Sequence, residues 1–183
     1  AARRRAHRMQ LRPLEEDQHT FADDALPRMR EAVADLSLLI DRGYAEKATL
    51  ALVGDRWSLD ARQRIAVRRC AAGTHELALR DNHRLERDQI RGRAIAIDGY
   101  NVLTTVHCAK NGRAIILGRD GCLRDLAAMR GRFETQPSLE RAELVPATVA
   151  SLGVSRVQWW LHDPVSGSGE LTAALRALST EVP

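Results

Sequence analysis

Ala94-Ile95-Ala96-Ile97-Asp98-Gly99-Tyr100-Asn101 is the stretch on which the fold reading turns. Ala94–Ile97 reads as a buried strand that ends on a carboxylate, and Gly99 then turns the chain towards a helix. In open α/β sheets, ligands gather at the carboxyl ends of the strands. A carboxylate at that point can hold a hard cation, and Asn101 can orient it or add an oxygen. The same residues also suit a helix N-cap, with Asp98 or Asn101 satisfying orphan amides. At this level both readings stand.

Two further strand-like runs follow, Ala114–Gly118 and Arg156–Leu161. Helical runs alternate with them: Tyr100 to Cys108, Gly121 to Arg132, Leu139 to Leu152 and Gly169 to Leu178. This alternation predicts an α/β domain with a parallel, doubly wound sheet. Each strand is followed at once by an acid: Asp98, then Asp120 in Arg119-Asp120-Gly121, then Asp163 after His162. Right-handed crossovers would bring the three strand ends to one edge. Carboxylates gathered there repel one another unless a divalent cation holds them, and oxygen ligands of this kind suit Mg²⁺ or Mn²⁺. Asp125, one turn into the expected helix after Asp120, is a fourth candidate. Taken singly, each Asp also suits a cap or a turn. His162 adjoins Asp163, but the default for it and for His107 is a structural histidine. Small residues in Pro164–Glu170 would let backbone amides approach an anion, with Ser166 and Ser168 supporting it or capping the last helix. A nucleotide-binding loop is a weaker reading of that segment. No Gly-Lys-Ser/Thr follows, which disfavours a Walker-type NTPase.

The N-terminal half reads differently. Residues 1–18 form a polar, basic tail, expected to be loose, and Met9 is a candidate start. A helical domain over 19–80 follows. Its first helix runs from Asp24 to Asp41, with Pro27 in its first turn and Met29, Val33, Leu36 and Ile40 at helical spacing. A second helix runs from Ala45 to Val53, Gly54–Trp57 is a turn, and a third helix runs from Asp60, its cap, to Ala72. The charged stretch 81–92 is the expected linker to an α/β domain over 93–183. The third helix carries Arg62, Arg64, Arg68 and Arg69. With Arg56 they offer a face for phosphates; a solvated face partnered by Asp55 and Asp60 is the plainer alternative.

Charge supports this division. Residues 1–93 hold 19 basic and 15 acidic side chains, and residues 94–183 hold 9 of each. The basic balance, and the better candidate for a polyanion contact, therefore lie in the first half. Almost all the basic residues are arginines, which is a weak sign of nucleic acid by itself. Aromatic residues are only 4% of the chain, so base stacking is not expected to be the main device. The three cysteines, Cys70, Cys108 and Cys122, form no Cys-x-x-Cys pair and are expected to be buried free thiols. No apolar run reaches membrane-span length. The chain reads as cytoplasmic and is compatible with a homo-oligomer.

Ile97-Asp98-Gly99-Tyr100-Asn101-Val102-Leu103 after an apolar strand resembles the opening motif of the PIN/NYN superfamily of metal-dependent ribonucleases. Val53-Gly54-Asp55-Arg56, Arg62-Gln63-Arg64, Arg119-Asp120-Gly121, Arg124-Asp125 and Asp163-Pro164-Val165-Ser166-Gly167-Ser168-Gly169 extend the likeness. They are similar to a small prokaryotic family in which a short helical domain precedes a PIN-like, NYN-type domain. The resemblance implies a PIN-like sheet, Mg²⁺ or Mn²⁺ on Asp98, Asp120 or Asp125, and Asp163, and hydrolysis of RNA. An inactive PIN-like module that binds RNA or protein is the alternative. PIN-like domains end on a further strand and acid. The sequence closes on Thr180-Glu181-Val182-Pro183 without that segment, so the reading is a domain truncated at its C-terminus or a site short of one ligand.

Overall fold

The structure, a computed structural model, describes residues 14–127, 144–161, 172, 173 and 175. Five helices come first: α1 (Leu14–Thr20), α2 (Leu26–Asp41), α3 (Glu46–Arg56), α4 (Ala61–Cys70) and α5 (Thr74–His83). α2 is the longest. Pro27 sits in its first turn, and it buries Met29, Ala32, Leu36 and Ser37 along one stripe. Gly43 ends it in the left-handed region that favours glycine. α4 starts at a full capping box. Asp60 accepts from the amides of Arg62 and Gln63 at 2.7 and 2.8 Å, and the Gln63 side chain accepts from the Asp60 amide.

Three local expectations change in this half. α3 runs through Gly54 and Asp55 to Arg56 and turns only at Trp57–Ser58. Gly54 is not a turn glycine: a Cβ there would stand 2.5 Å from the Arg64 guanidinium. Thr74–His83 forms a helix that no periodicity announces, because none of its residues is buried. Part of the tail expected to be loose is also ordered, since α1 brings Asp17 into an ion pair.

The chain then forms β1 (Ala94–Asp98) and α6 (Gly99–Lys110). Next come β2 (Ile115–Leu117) and β3 (Leu123–Asp125), paired antiparallel with Ile116 opposite Arg124. The helix expected from Gly121 is therefore a hairpin arm as far as Asp125. Gly121 takes a positive φ in the connection, and the Gly118 amide donates to Cys122 O. Arg119-Asp120-Gly121 is the turn chemistry of a hairpin, and it outweighed the helical spacing of Leu123, Leu126 and Ala127. α7 (Leu144–Ser151) and β4 (Arg156–Trp160) follow. β4 pairs with β1 in parallel, from Ala94 beside Arg156 to Asp98 beside Trp160.

The described sheets are thus two separate pairs, β1–β4 and β2–β3, and not one three-stranded parallel sheet. The chain is α/β, with a helical N-terminal region and a small parallel sheet. It divides into two compact units. One holds α1–α5 and the β2–β3 hairpin. Its core joins Met29, Leu36, Val53 and Val67 to Leu126. The other holds β1, α6, α7 and β4, with Tyr100, Leu103 and Leu175 buried and Trp159 and Leu161 packed against them. The division at residues 84 and 85 falls within the expected linker. No described helix is long and apolar enough to cross a membrane.

Gly99 explains how α6 starts. A Cβ there would stand 2.6 Å from Leu161 Cδ2 and 3.3 Å from the Trp160 carbonyl. Gly99→Ala is expected to cost about 1–3 kcal/mol through overpacking. Denaturant unfolding checks this, and an unchanged midpoint would mean that Leu161 moves aside freely.

Candidate functional site

Asp98 occupies the carboxyl end of β1 and is exposed. It is also the N-cap of α6. Its Oδ1 accepts from the Asn101 amide at 3.3 Å, and its Oδ2 accepts from Asn101 Nδ2 at 2.6 Å. The cap and oriented-carboxylate readings therefore describe one geometry. A carboxylate has about four acceptor positions, so Asn101 fixes the group and leaves room for a hard cation. Asp163, Ser166, Ser168 and His162 lie outside the described residues. In sequence, Asp163 stands three residues after Trp160, the β4 partner of Asp98.

Asp120 and Asp125 belong to the hairpin in the helical unit. The second strand pairs with β3 and not with the parallel pair, so the described strands do not form the single parallel sheet expected to carry the three acids. Arg124 holds both oxygens of Asp120, at 2.7 and 2.6 Å, and Arg80 donates to Oδ2 as well. The Cys122 amide completes the set at 3.2 Å. The Asp120 side chain is only 1% exposed. Two guanidiniums supply the countercharge that a cation would otherwise bring, so Asp120 is matched as an ion-pair hub. Gly118 makes room for it, since a Cβ there would collide with Arg124 and Asp120. Asp125 is buried, 3.6 Å from Arg69. Among the described residues, no group of three or more His, Cys, Asp or Glu side chains is placed to hold a metal.

The candidate arginines do not make one face. Arg62 is bidentate to Asp17 at 2.6 and 3.0 Å and donates to Leu126 O at 3.1 Å. Arg64 fills the space over Gly54, donating to Leu59 O at 2.9 Å, Ala51 O at 3.2 Å and Asp55 at 2.7 Å. Arg68 is exposed and pairs with Glu46. Arg56 is exposed, 3.4 Å from Asp35 and 5.4 Å from the Trp57 ring centroid. Trp57 Nε1 donates to the same Asp35 carboxylate. Arg62 and Arg64 thus join helices, and Arg56 and Arg68 face solvent.

Several residues that shape these surroundings carried no signal in the sequence. Asp17 sits in the polar tail, and Arg80 lies on a helix without an apolar stripe. Arg119 anchors the hairpin to the end of α4, its Nη1 donating to Ala72 O and its amide to Cys70 O. Burial pushes the Cys70 thiol above its ordinary range, although the Arg124 charge opposes this. Cys108 is buried, but Cys122 is exposed because it follows the hairpin turn, contrary to the expectation of buried thiols. An apolar cleft of about 840 Å³ runs beside α2, α4 and β2, lined by Met29, Val33, Leu38, Val67 and Ile116, with Arg30 on its border.

The family profile described as "Domain of unknown function (DUF5616)" matches residues 87–183, more than half of the chain. The chain belongs to the DUF5616 family. A second profile, "Protein of unknown function (DUF434)", matches residues 28–83. The two matches meet where the compact units divide. The β2–β3 hairpin lies within the DUF5616 match yet folds with the helical unit. The chain is 25% identical over 148 residues to "Uncharacterized protein MJ0935" of Methanocaldococcus jannaschii, covering 81% of this chain and 71% of that protein. No solved structure matches.

Proposed function

We propose that the α/β unit is a PIN-like module that hydrolyses RNA phosphodiesters with Mg²⁺ or Mn²⁺. One observation carries the reading: Asp98 stands exposed at the carboxyl end of a parallel strand pair, and Asn101 fixes its carboxylate. Asp98, with Asp163 from outside the described residues, would hold the cation. Mg²⁺ sites are often built from one or two carboxylates completed by substrate phosphates, so a small protein ligand set is compatible with this role. When bound, the cation supplies charge neutralisation at the phosphate and a more acidic water. Asn101 orients the Asp98 carboxylate. Ser166 and Ser168 are proposed to support the phosphate. Asp120 and Asp125 are left out of the ligand set, because arginines of the helical unit already pair with them.

A second reading, a module that binds RNA without turnover, is favoured by the same commitment of Asp120 and Asp125. Incubating the full chain with labelled single-stranded RNA separates the two. Cleavage with Mn²⁺ or Mg²⁺ that stops in EDTA supports the enzyme, and binding without cleavage under every condition supports the module.

In either reading the helical unit, whose basic and acidic side chains balance, assists RNA binding through its exposed arginines Arg56 and Arg68. Arg68→Ala should leave the melting temperature nearly unchanged, because its ion pair is exposed. The slope of log affinity against log salt should flatten by about 0.7 for a single strand if Arg68 meets a phosphate. An unchanged slope would mark Arg68 as part of a solvated surface.

A further inference from the structure

We propose that the open face of the β1–β4 pair seats single-stranded RNA, with one base stacked on Trp160 beside Asp98. This rests on the ribonuclease reading and deepens it by naming where the substrate strand lies. In a parallel pair, residues in register share a face. Ala94 lies beside Arg156, Ala96 beside Gln158 and Asp98 beside Trp160. All six are exposed, while the alternating residues Ile95, Ile97, Val157 and Trp159 are partly or fully buried. Trp160 is 61% exposed.

The composition of that face selects its occupant. Parallel sheets normally have both faces covered, so an exposed face with an indole on it is unusual. The two alanines leave a low floor along β1. β4 presents in order a guanidinium, a carboxamide and an indole, spaced by about 6.6 Å. These groups suit a phosphate, a base edge and a base plane respectively. Arg91 and Arg93 are exposed just before β1, and the Arg93 carbonyl accepts from the Ser155 amide, so the backbone that carries them lies at the Arg156 end of the pair. Arg156 makes no ion pair among the described residues. Positive charge at one end and Asp98 at the other suit a strand whose phosphates meet the arginines and whose scissile bond approaches the acid. A duplex keeps its bases stacked inside and cannot offer a base plane to Trp160. An apolar protein surface would find Arg156 and Gln158 in its way.

The test is anisotropy of a labelled single-stranded oligoribonucleotide on the full chain in EDTA, which prevents cleavage. Trp160→Ala should weaken binding about tenfold or more, the loss of one stacked base, and Trp160→Phe should retain most of the affinity. Arg156→Ala should flatten the salt slope by about 0.7. Duplex RNA of the same sequence should compete poorly. Should Trp160→Ala fail to fold, the Arg156→Ala slope and the duplex competition decide the matter. Parental affinity in Trp160→Ala overturns the seat; if that variant also cleaves like the parent with Mn²⁺, the nuclease reading survives. Trp160-dependent binding without cleavage upholds the seat and removes turnover. A parent that binds no RNA overturns both. Unchanged RNA affinity together with loss of self-association in Trp160→Ala would make the face a protein contact and overturn the proposal.

Discussion

Arg62→Ala is expected to lower the stability of the helical unit by about 3–5 kcal/mol, the cost of stranding a buried charge. Asp17 is 4% exposed, and Arg62 meets both of its oxygens. The same guanidinium reaches Leu126 O, so one side chain ties α1, α4 and the end of the hairpin together. Alanine would leave the Asp17 carboxylate with only the Ala114 amide, at 3.3 Å. The pH dependence gives the pair a signature. Burial pushes the Asp17 carboxyl up. The Arg62 hydrogen bonds, the Ala114 amide and the charges of Arg62 and Arg113 outweigh it and hold the group below its ordinary value of 3.8. A depressed folded-state pKa contributes stability that is complete above the unfolded value and is lost as pH falls through the folded value. The parent should therefore lose this contribution in acid below about pH 4. Arg62→Ala, whose Asp17 carboxyl keeps only the Ala114 amide and the Arg113 charge against its burial, should lose less over the same range. Urea midpoints of both proteins at neutral and acid pH check this. Equal midpoints at neutral pH would mean that the ion pair is replaceable by water.

Asp98→Asn should separate the structural and chemical roles of one residue. Asparagine ranks with aspartate at N-caps, so the cap on α6 should survive and the metal-free melting temperature should hardly move. Mn²⁺ should then discriminate. Affinity for a hard cation rises with ligand charge, and the stabilisation from a ligand grows with the logarithm of its concentration over Kd. A tenfold weaker site under excess Mn²⁺ therefore loses about 1.4 kcal/mol of the metal-induced increment. Melting both proteins with and without Mn²⁺ reads this directly. A variant that keeps the parent's full increment would reduce Asp98 to a helix cap.

Where burial is periodic, the sequence was a good guide. The stripe of α2, the Asp60 cap and the positions of β1 and β4 follow from local pattern, but the burial expected of β1 does not hold: Ala94, Ala96 and Asp98 are exposed and only Ile97 is buried. α5 was illegible since it buries nothing, and α1 because its role depends on a partner, Arg62, 45 residues away. The hairpin was missed for a different reason. Leu123, Leu126 and Ala127 fit a helical period, but Gly121 in a turn conformation fits a hairpin, and the turn prevailed. That single difference moved Asp120 and Asp125 from the expected sheet edge to an ion-paired hairpin. Periodicity cannot reveal which strand pairs with which, so three acids after three strands did not imply one site. The arginines of α4 show the same limit. Their spacing was visible, but Asp17, Leu59 O and Ala51 O, which hold two of them, are set by tertiary packing.

Hydrolysis of labelled single-stranded RNA by the parent and by Asp98→Asn, matched for folded fraction, tests the central claim most directly. The account predicts Mn²⁺-dependent cleavage by the parent, none in EDTA, and a loss of about a hundredfold or more in Asp98→Asn. A folded parent that binds the RNA but never cleaves it with Mn²⁺ or Mg²⁺, or an Asp98→Asn variant that cleaves at the parent's rate, would contradict it.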